Sequence, residues 1–133
     1  GFPGETEEQF QETLEVVSKV KFDTAFMFKY SERPGTKASN YTDQISEDVK
    51  QSRLQTLIEF QHKISLMNNR RRIGLNLDVI IEKESKRSDN QWAGRIEANC
   101  WVIFDKKDDY KIGDLVNVNI IDAKGISLFG KIN

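Results

Sequence analysis

The period of the apolar residues changes at Gly74, and this change divides the chain into two different kinds of structure. Before Gly74, apolar residues recur every three or four positions through residues 49–67, which is the period of an α-helix. After it, apolar and polar residues alternate through residues 75–79, which is the period of a strand with one buried face. The sequence therefore predicts a two-part α+β chain.

The second part shows the alternating pattern several more times. It recurs in residues 92–104, 116–120 and 126–132, and turn-forming stretches at 86–91, 105–113 and 122–125 lie between. We expect residues 92–104 to bend into two strands with the help of Gly94. About five short antiparallel strands favour a small closed β-barrel, because closure removes exposed edges. Cys100 falls on the apolar side and is predicted to be a small core residue.

The first part has the pattern of half an α/β unit. Thr6 and Gln9 have the spacing of a capping box, which predicts a helix over residues 7–19. Residues 24–30 are apolar on both faces and predict a strand covered on both sides, and a long helix follows over about residues 46–72. Since a parallel strand needs neighbours, this part is interpreted as a remnant of a larger sheet. We place the boundary between residues 1–67 and residues 68–133.

The composition excludes several classes of protein. One Cys and one His allow neither a disulfide framework nor a zinc site built from Cys and His ligands. No apolar run approaches the roughly 20 residues of a membrane span. We therefore expect a cytoplasmic protein with no membrane partner, and we find no nucleophile–base set that would make a catalytic cluster.

The charge is unevenly distributed although the formal total is only −1. Residues 46–73 carry six Lys or Arg against three Asp or Glu, and three consecutive arginines end that segment. Further candidates for binding RNA surround the first turn of the predicted barrel. They are Lys83, Lys86, Arg87, Gln91, Trp92 and Arg95. Cations bind phosphates and aromatic rings stack on bases; the alternative is a solvated hairpin tip with Trp92 in the core.

Two loops of the first part are weaker candidates for ligand binding. Arg33 lies in an Arg-Pro-Gly-Thr sequence just beyond the predicted strand, where ligands of open α/β sheets bind. An arginine there is suited to a carboxylate or a phosphate. Residues 1–6 precede a helix N-terminus, which favours anions, although ordinary turn formation explains the same residues.

Several motifs of the chain resemble, in order, those of the radical-SAM methylthiotransferases. They are residues 1–6 (GFPGET), residues 28–36 (FKYSERPGT) and residues 85–95 (SKRSDNQWAGR). The chain resembles the end of the radical-SAM domain, a partial α/β barrel represented here by helix, strand and long helix. A TRAM domain follows, a small OB-like antiparallel barrel of five strands that holds RNA. Residues 91–95 are most similar to members that add a methylthio group to isopentenylated adenosine beside the tRNA anticodon. Ile96 departs from the threonine expected there.

The resemblance implies roles for particular residues. S-adenosylmethionine would lie near Gly1, Pro3, Glu5 and Thr6, and Tyr30, Ser31 and Arg33 would border the active site. The six barrel residues named above, Lys83 among them, would hold the tRNA anticodon arm.

The family's cofactors are S-adenosylmethionine and two 4Fe–4S clusters, which are held by cysteines. Cys100 matches none of these cysteines, so we expect no metal site, no catalytic residue and no activity in this chain alone. Its partners would be tRNA and the N-terminal portion of the same enzyme. Alternatives are a non-catalytic barrel that binds a protein, and a family member acting on another tRNA adenosine or on a ribosomal protein.

Overall fold

A computed structural model describes residues 1–86, 88–107 and 109–132. The chain divides into two compact units, Gly1–Gln61 and His62–Asn133. The division falls inside the second long helix, six residues before the boundary that the sequence suggests.

Helix α1, Glu7–Val20, begins where the sequence predicts. The Thr6 hydroxyl accepts the Gln9 backbone N–H at 3.3 Å, and the Gln9 side chain accepts the Thr6 backbone N–H at 3.0 Å. This confirms the capping box, which satisfies two backbone donors that a helix start leaves unpaired. The helix ends at Lys21, which has the left-handed φ of 56°.

A 3-10 helix, Lys37–Asn40, and helix α2, Glu47–Arg70, complete the helices. The strand predicted over residues 24–30 is wrong, because these residues form neither helix nor strand. Phe26 and Phe28 are 88% and 84% exposed. A strand exists only when its backbone groups pair with a neighbour, and no described strand pairs with this segment.

The second unit contains five strands, as predicted. They are β1 (Asn76–Ser85), β2 (Ser88–Arg95), β3 (Trp101–Asp105), β4 (Leu115–Lys124) and β5 (Ser127–Ile132). The strand order is β1-β2-β3-β5-β4, and β4 also pairs with β1, so the sheet closes on itself. The expectation of an entirely antiparallel sheet is wrong, because β3 and β5 are parallel. A closed ring of alternating directions needs an even number of strands, so five strands require one parallel pair.

The bend between β2 and β3 lies after Gly94 rather than at it. Residues 96–100 form the turn, and Asn99 takes the left-handed φ of 60° there. Gly94 lies within β2, where an added Cβ would stand 2.3 Å from the Ile80 carbonyl oxygen. Glycine is required at this position because it lets β1 and β2 approach closely.

The core of the second unit lies inside the barrel and is formed by side chains of β1, β3, β4, β5 and the turn between β2 and β3, with Trp92 of β2 packed against it. It consists of Val79, Ile81, Ile96, Cys100, Val102, Phe104, Val116, Val118, Ile120, Ala123 and Leu128. Cys100 is 1% exposed, which confirms its assignment to the core. Among the residues that the structure describes, neither helix has the length and hydrophobicity needed to cross a membrane.

Candidate nucleic-acid interface

An open groove of about 560 Å³ runs along the outer face of the barrel. Residues of all five strands line it, together with the turns after β1 and β4. Its residues are Lys83, Ser85, Lys86, Gln91, Ala93, Trp101, Ile103, Lys124, Gly125, Ser127 and Phe129. The groove therefore combines three lysines with two aromatic rings on one surface.

Three residues predicted from the sequence lie together in this groove. Lys83 and Lys86 have exposed side chains, and no carboxylate of the described residues forms an ion pair with either. Gln91 also lines the groove, and its Nε2 donates to Asp105 Oδ1 at 3.0 Å. Exposed lysines beside a polar amide are suited to phosphates and polar nucleotide edges.

Arg95 does not line this groove; it lines a second open cavity of about 420 Å³ together with Glu82 and Asn99, and three contacts hold it. It donates to Asn99 Oδ1, its Nε is 3.6 Å from Glu82 Oε1, and its guanidinium carbon is 4.3 Å from the ring centre of Trp101. These contacts fix the guanidinium in place beside the indole. Arg87, also predicted from the sequence, lies outside the described residues.

Trp92 differs from the other predicted residues, because it packs against the core. Its Nε1 is buried without a hydrogen-bond partner, and Lys106 Nζ lies 4.4 Å from the ring centre. This placement fits the alternative that the sequence left open, in which Trp92 belongs to the core. Its contact with RNA stays a prediction.

Sequence reasoning missed Trp101 and Phe129, although the alternation of the strands contains a signal for both. Val102 and Leu128 face the core, so Trp101 and Phe129 beside them must face outward. The outward position of an aromatic ring next to several lysines distinguishes a stacking surface from a core position.

Lys124 was also missed, and it is the third lysine of the groove. It pairs with Asp122 at 3.1 Å, and Nζ lies 5.6 Å from the ring centre of Phe129. Hydrogen bonds from Lys124 and from the Ala123 backbone N–H hold the pKa of Asp122 below its usual value. Asp122 therefore stays charged at neutral pH and partly neutralises this end of the groove.

The turn predicted to lie near S-adenosylmethionine is in the first unit. Pro3 is buried, and the Gly4 N–H donates to the Asp43 carbonyl at 2.9 Å, with Gly4 at a φ of 79°. Arg53 Nη1 donates to Glu5 Oε2 at 2.9 Å, and the Thr6 hydroxyl caps α1. Both polar side chains of the turn are thus engaged within the unit.

The residues predicted to border an active site line a separate open cavity of about 500 Å³. Tyr30, Ser31 and Arg33 share it with Thr36, whose hydroxyl donates to the Arg33 carbonyl at 2.9 Å. The Tyr30 ring lies 5.3 Å from the Phe2 ring, and its hydroxyl is buried without a partner. The structure therefore brings these three residues together.

No group of three His, Cys, Asp or Glu side chains suited to a metal ion occurs within residues 1–86, 88–107 and 109–132. A 4Fe–4S cluster needs several thiolates. Cys100 is the sole cysteine of the sequence, and it is buried in the barrel core. The residues of this chain therefore do not fit such a cluster.

The barrel is similar in sequence to a known domain family. Residues 70–132 match the family model of the TRAM domain. This range contains all five strands and every residue that lines the groove.

The whole chain is similar to proteins named tRNA-2-methylthio-N(6)-dimethylallyladenosine synthase. The relative from Christiangramia forsetii is 46% identical over 98% of this chain and 27% of its own length. That from Porphyromonas gingivalis strain W83 is 47% identical over 99% of this chain and 28% of its own length. The relative from Azobacteroides pseudotrichonymphae is 50% identical over 98% of this chain and 29% of its own length. The chain thus spans less than a third of these relatives, and the resemblance drawn from its motifs is confirmed.

Proposed function

From the premise that residues 70–132 are a TRAM domain in a chain similar throughout to these synthases, we propose that the barrel binds tRNA for a methylthiotransferase. The substrate would be an adenosine that carries an isopentenyl group and lies beside the anticodon. The groove, in which exposed Lys83 and Lys86 lie beside outward-facing aromatic rings, carries this proposal.

The charges of the groove determine how the barrel would bind. Lys83, Lys86 and Arg95 would contact phosphates of the anticodon arm, with Arg87 beside them in sequence, and phosphate contacts position RNA without reading its sequence. Gln91 supplies a polar contact, and Trp92 would act through the strand that it anchors in the core. Because phosphate contacts release counterions, the affinity should fall as the salt concentration rises.

We also propose that the first unit belongs to the radical-SAM part of the full-length enzyme. Tyr30, Ser31 and Arg33 already share a cavity, which supports their place at the border of the active site. S-adenosylmethionine would lie beside Gly1, Pro3, Glu5 and Thr6. Since the Glu5 and Thr6 side chains are engaged within the unit, backbone groups would supply the contacts here.

The clusters of the full-length enzyme would be held by cysteines outside this chain. When bound, S-adenosylmethionine and the 4Fe–4S clusters of the full-length enzyme would supply the radical chemistry. This chain would supply RNA binding and one wall of the active site. We expect the 133-residue chain alone to form no methylthio product. A product assay on tRNA with the full-length cytoplasmic enzyme, and with this chain as the comparison, tests that division.

The RNA-binding proposal is tested by titrating the 133-residue chain with anticodon stem-loop RNA at several salt concentrations. The variant carries Lys83→Glu and Lys86→Glu, and the control carries Lys19→Glu and Lys37→Glu, which change the net charge equally in the other unit. We expect the first pair to weaken binding and to lower the slope of log K against log salt by about one for each phosphate that the variant no longer neutralises.

Salt-independent binding, no binding, or equally weakened binding in the control would overturn the proposal. Retained RNA binding together with weakened binding of a protein partner would instead support a protein-interaction module.

A further inference from the structure

Two aromatic residues line the groove from neighbouring strands. Strands β3 and β5 are parallel, with Trp101 beside Ser127 and Ile103 beside Phe129. Trp101 and Phe129 are therefore two positions apart on neighbouring strands, and both face outward. Both side chains are half-buried and line the groove, so each ring keeps part of its surface open.

Cations accompany both rings. Lys83 Nζ lies 4.1 Å from the ring centre of Trp101, Arg95 lies 4.3 Å from it, and Lys124 Nζ lies 5.6 Å from that of Phe129. Arg95 is held by Asn99 and Glu82, whereas Lys83 has no ion pair among the described residues. A base stacked beside these rings would bring its phosphates to positive charges.

We propose that Trp101 and Phe129 form a stacking platform for unpaired nucleotides, so that the barrel selects loop RNA over paired RNA. This inference rests on the proposed function, since it names the form of RNA that the same surface takes. Stacking on a side chain requires a base that is splayed out of its helix, which loops supply and helical stems do not. Phosphate contacts alone would hold a stem and a loop about equally.

The volume and shape of the groove agree with this ligand. A space of about 560 Å³ lies within the range of small-ligand sites. Its polar lining includes Lys83, Lys86, Gln91, Lys124 and Ser127. Aromatic surface combined with cations in one groove is the arrangement by which proteins bind single strands without strong sequence preference.

Fluorescence distinguishes the two tryptophans, because the chain contains only Trp92 and Trp101. In a Trp92→Phe background all indole emission comes from Trp101. The 133-residue chain is titrated with an anticodon stem-loop RNA and with a fully paired RNA duplex that carries the same number of phosphates. We expect the stem-loop to quench Trp101 emission and the duplex to leave it nearly unchanged.

Affinity provides the second readout. In the wild-type background, Trp101→Ala should weaken stem-loop binding about 5- to 150-fold, the range found for one stacked base. Duplex affinity should change less than about twofold. Trp101→Phe should retain most of the affinity for the stem-loop, because phenylalanine keeps a ring on which a base stacks. Phe129→Leu should also weaken stem-loop binding, but by a smaller factor than Trp101→Ala does.

The outcomes separate this inference from the proposal beneath it. If Trp101→Ala weakens binding of the stem-loop and of the duplex equally, or weakens binding of neither, the platform is refuted. Salt-dependent RNA binding by the barrel would still stand. If wild-type chain binds neither RNA, the proposed function itself fails. Thermal unfolding followed by circular dichroism checks the fold of each variant. If the Trp101→Ala variant does not fold, the fluorescence titration in the Trp92→Phe background and the stem-loop affinity of Phe129→Leu decide instead. No quenching of Trp101 together with unchanged stem-loop affinity of Phe129→Leu would overturn the platform.

Discussion

The two units of the chain reach stability in different ways. In His62–Asn133 every strand pairs with two neighbours, and eleven buried residues fill the barrel. In Gly1–Gln61, Phe10 is the buried side chain of α1, and Arg53 and Gln61 make polar contacts with Glu5 and with the Phe22 carbonyl. The second unit buries a continuous apolar core, whereas Phe26 and Phe28 of the first unit are almost fully exposed to water.

The two units differ in whether their own residues supply the backbone partners that a strand needs. The barrel satisfies its backbone groups and its apolar side chains with its own strands. The extended apolar residues 24–30 have a composition suited to a sheet and no strand beside them among the described residues. Under the proposed function, that segment would join a sheet in the full-length enzyme.

The largest expected effect is in the barrel core. Leu128→Ala removes a fully buried side chain and should lower the free energy of unfolding by about 2–5 kcal/mol. Ile126→Ala is the matched control in the preceding turn; because Ile126 is exposed, its effect should stay within about 0.5 kcal/mol. Urea unfolding measures both. Equal effects would show that the barrel has no distinct core.

A smaller effect is expected in the first unit. Arg53 donates to Glu5 and to Glu7 Oε2 at 3.2 Å, and its side chain is largely buried. Arg53→Met should cost that unit about 1.5–3 kcal/mol, as for hydrogen bonds to charged groups. Hydrogen exchange should quicken for amides of α1 and not for the barrel.

The control for Arg53 is Lys19→Gln, which removes an exposed ion pair with Glu15 and should change exchange very little. Unchanged exchange in α1 of Arg53→Met, or faster exchange in the barrel, would contradict independent stabilisation of the two units.

The next prediction concerns pH. A hydrogen bond from Lys29 holds the pKa of Glu47 below its ordinary value. A carboxyl group whose pKa is lowered by folding stabilises the folded state at pH values above its unfolded pKa of 4.5. That stabilisation disappears as the pH falls through the folded pKa. Lys29→Gln should raise the pKa of Glu47 toward 4.5 in an NMR titration of the carboxyl carbons. No change would show that the pair does not form in solution.

The smallest effect is expected at the exposed rings. Replacing Phe26 and Phe28 with serine should leave the unfolding free energy of the chain within about 0.5 kcal/mol, because both rings are already in water. Thermal unfolding with detection by circular dichroism measures it. A clear loss of stability would mean that these rings are buried by this chain itself.

Much of the fold could be predicted from local patterns. The Thr6 capping box, the long helix and the five strands each depend on residues close in sequence, and the structure contains all of them. The parallel pairing of β3 and β5 and the turn at Asn99 depend on closure of the ring, which local alternation does not encode. The prediction of a strand over residues 24–30 is wrong because a strand forms only when a neighbouring strand pairs with its backbone, which the local sequence does not encode.

The candidate site was predicted in part. Charge and spacing identified Lys83, Lys86 and Gln91, which lie together in the groove. Trp92 was chosen for its ring, although its even position placed it with the core. Trp101 and Phe129 needed the three-dimensional pairing of β3 with β5 before they formed one surface.

The most direct test of the account is NMR chemical-shift mapping of the 133-residue chain with anticodon stem-loop RNA. We predict that the largest shifts fall on amides of the groove, at Lys83, Gln91, Trp101 and Phe129. Amides of Asn76 and Asn119, whose side chains hydrogen-bond to each other across β1 and β4, should move little. Largest shifts at Asn76 and Asn119, or throughout Gly1–Gln61 with the groove unchanged, would contradict the assignment of RNA binding to this face of the barrel.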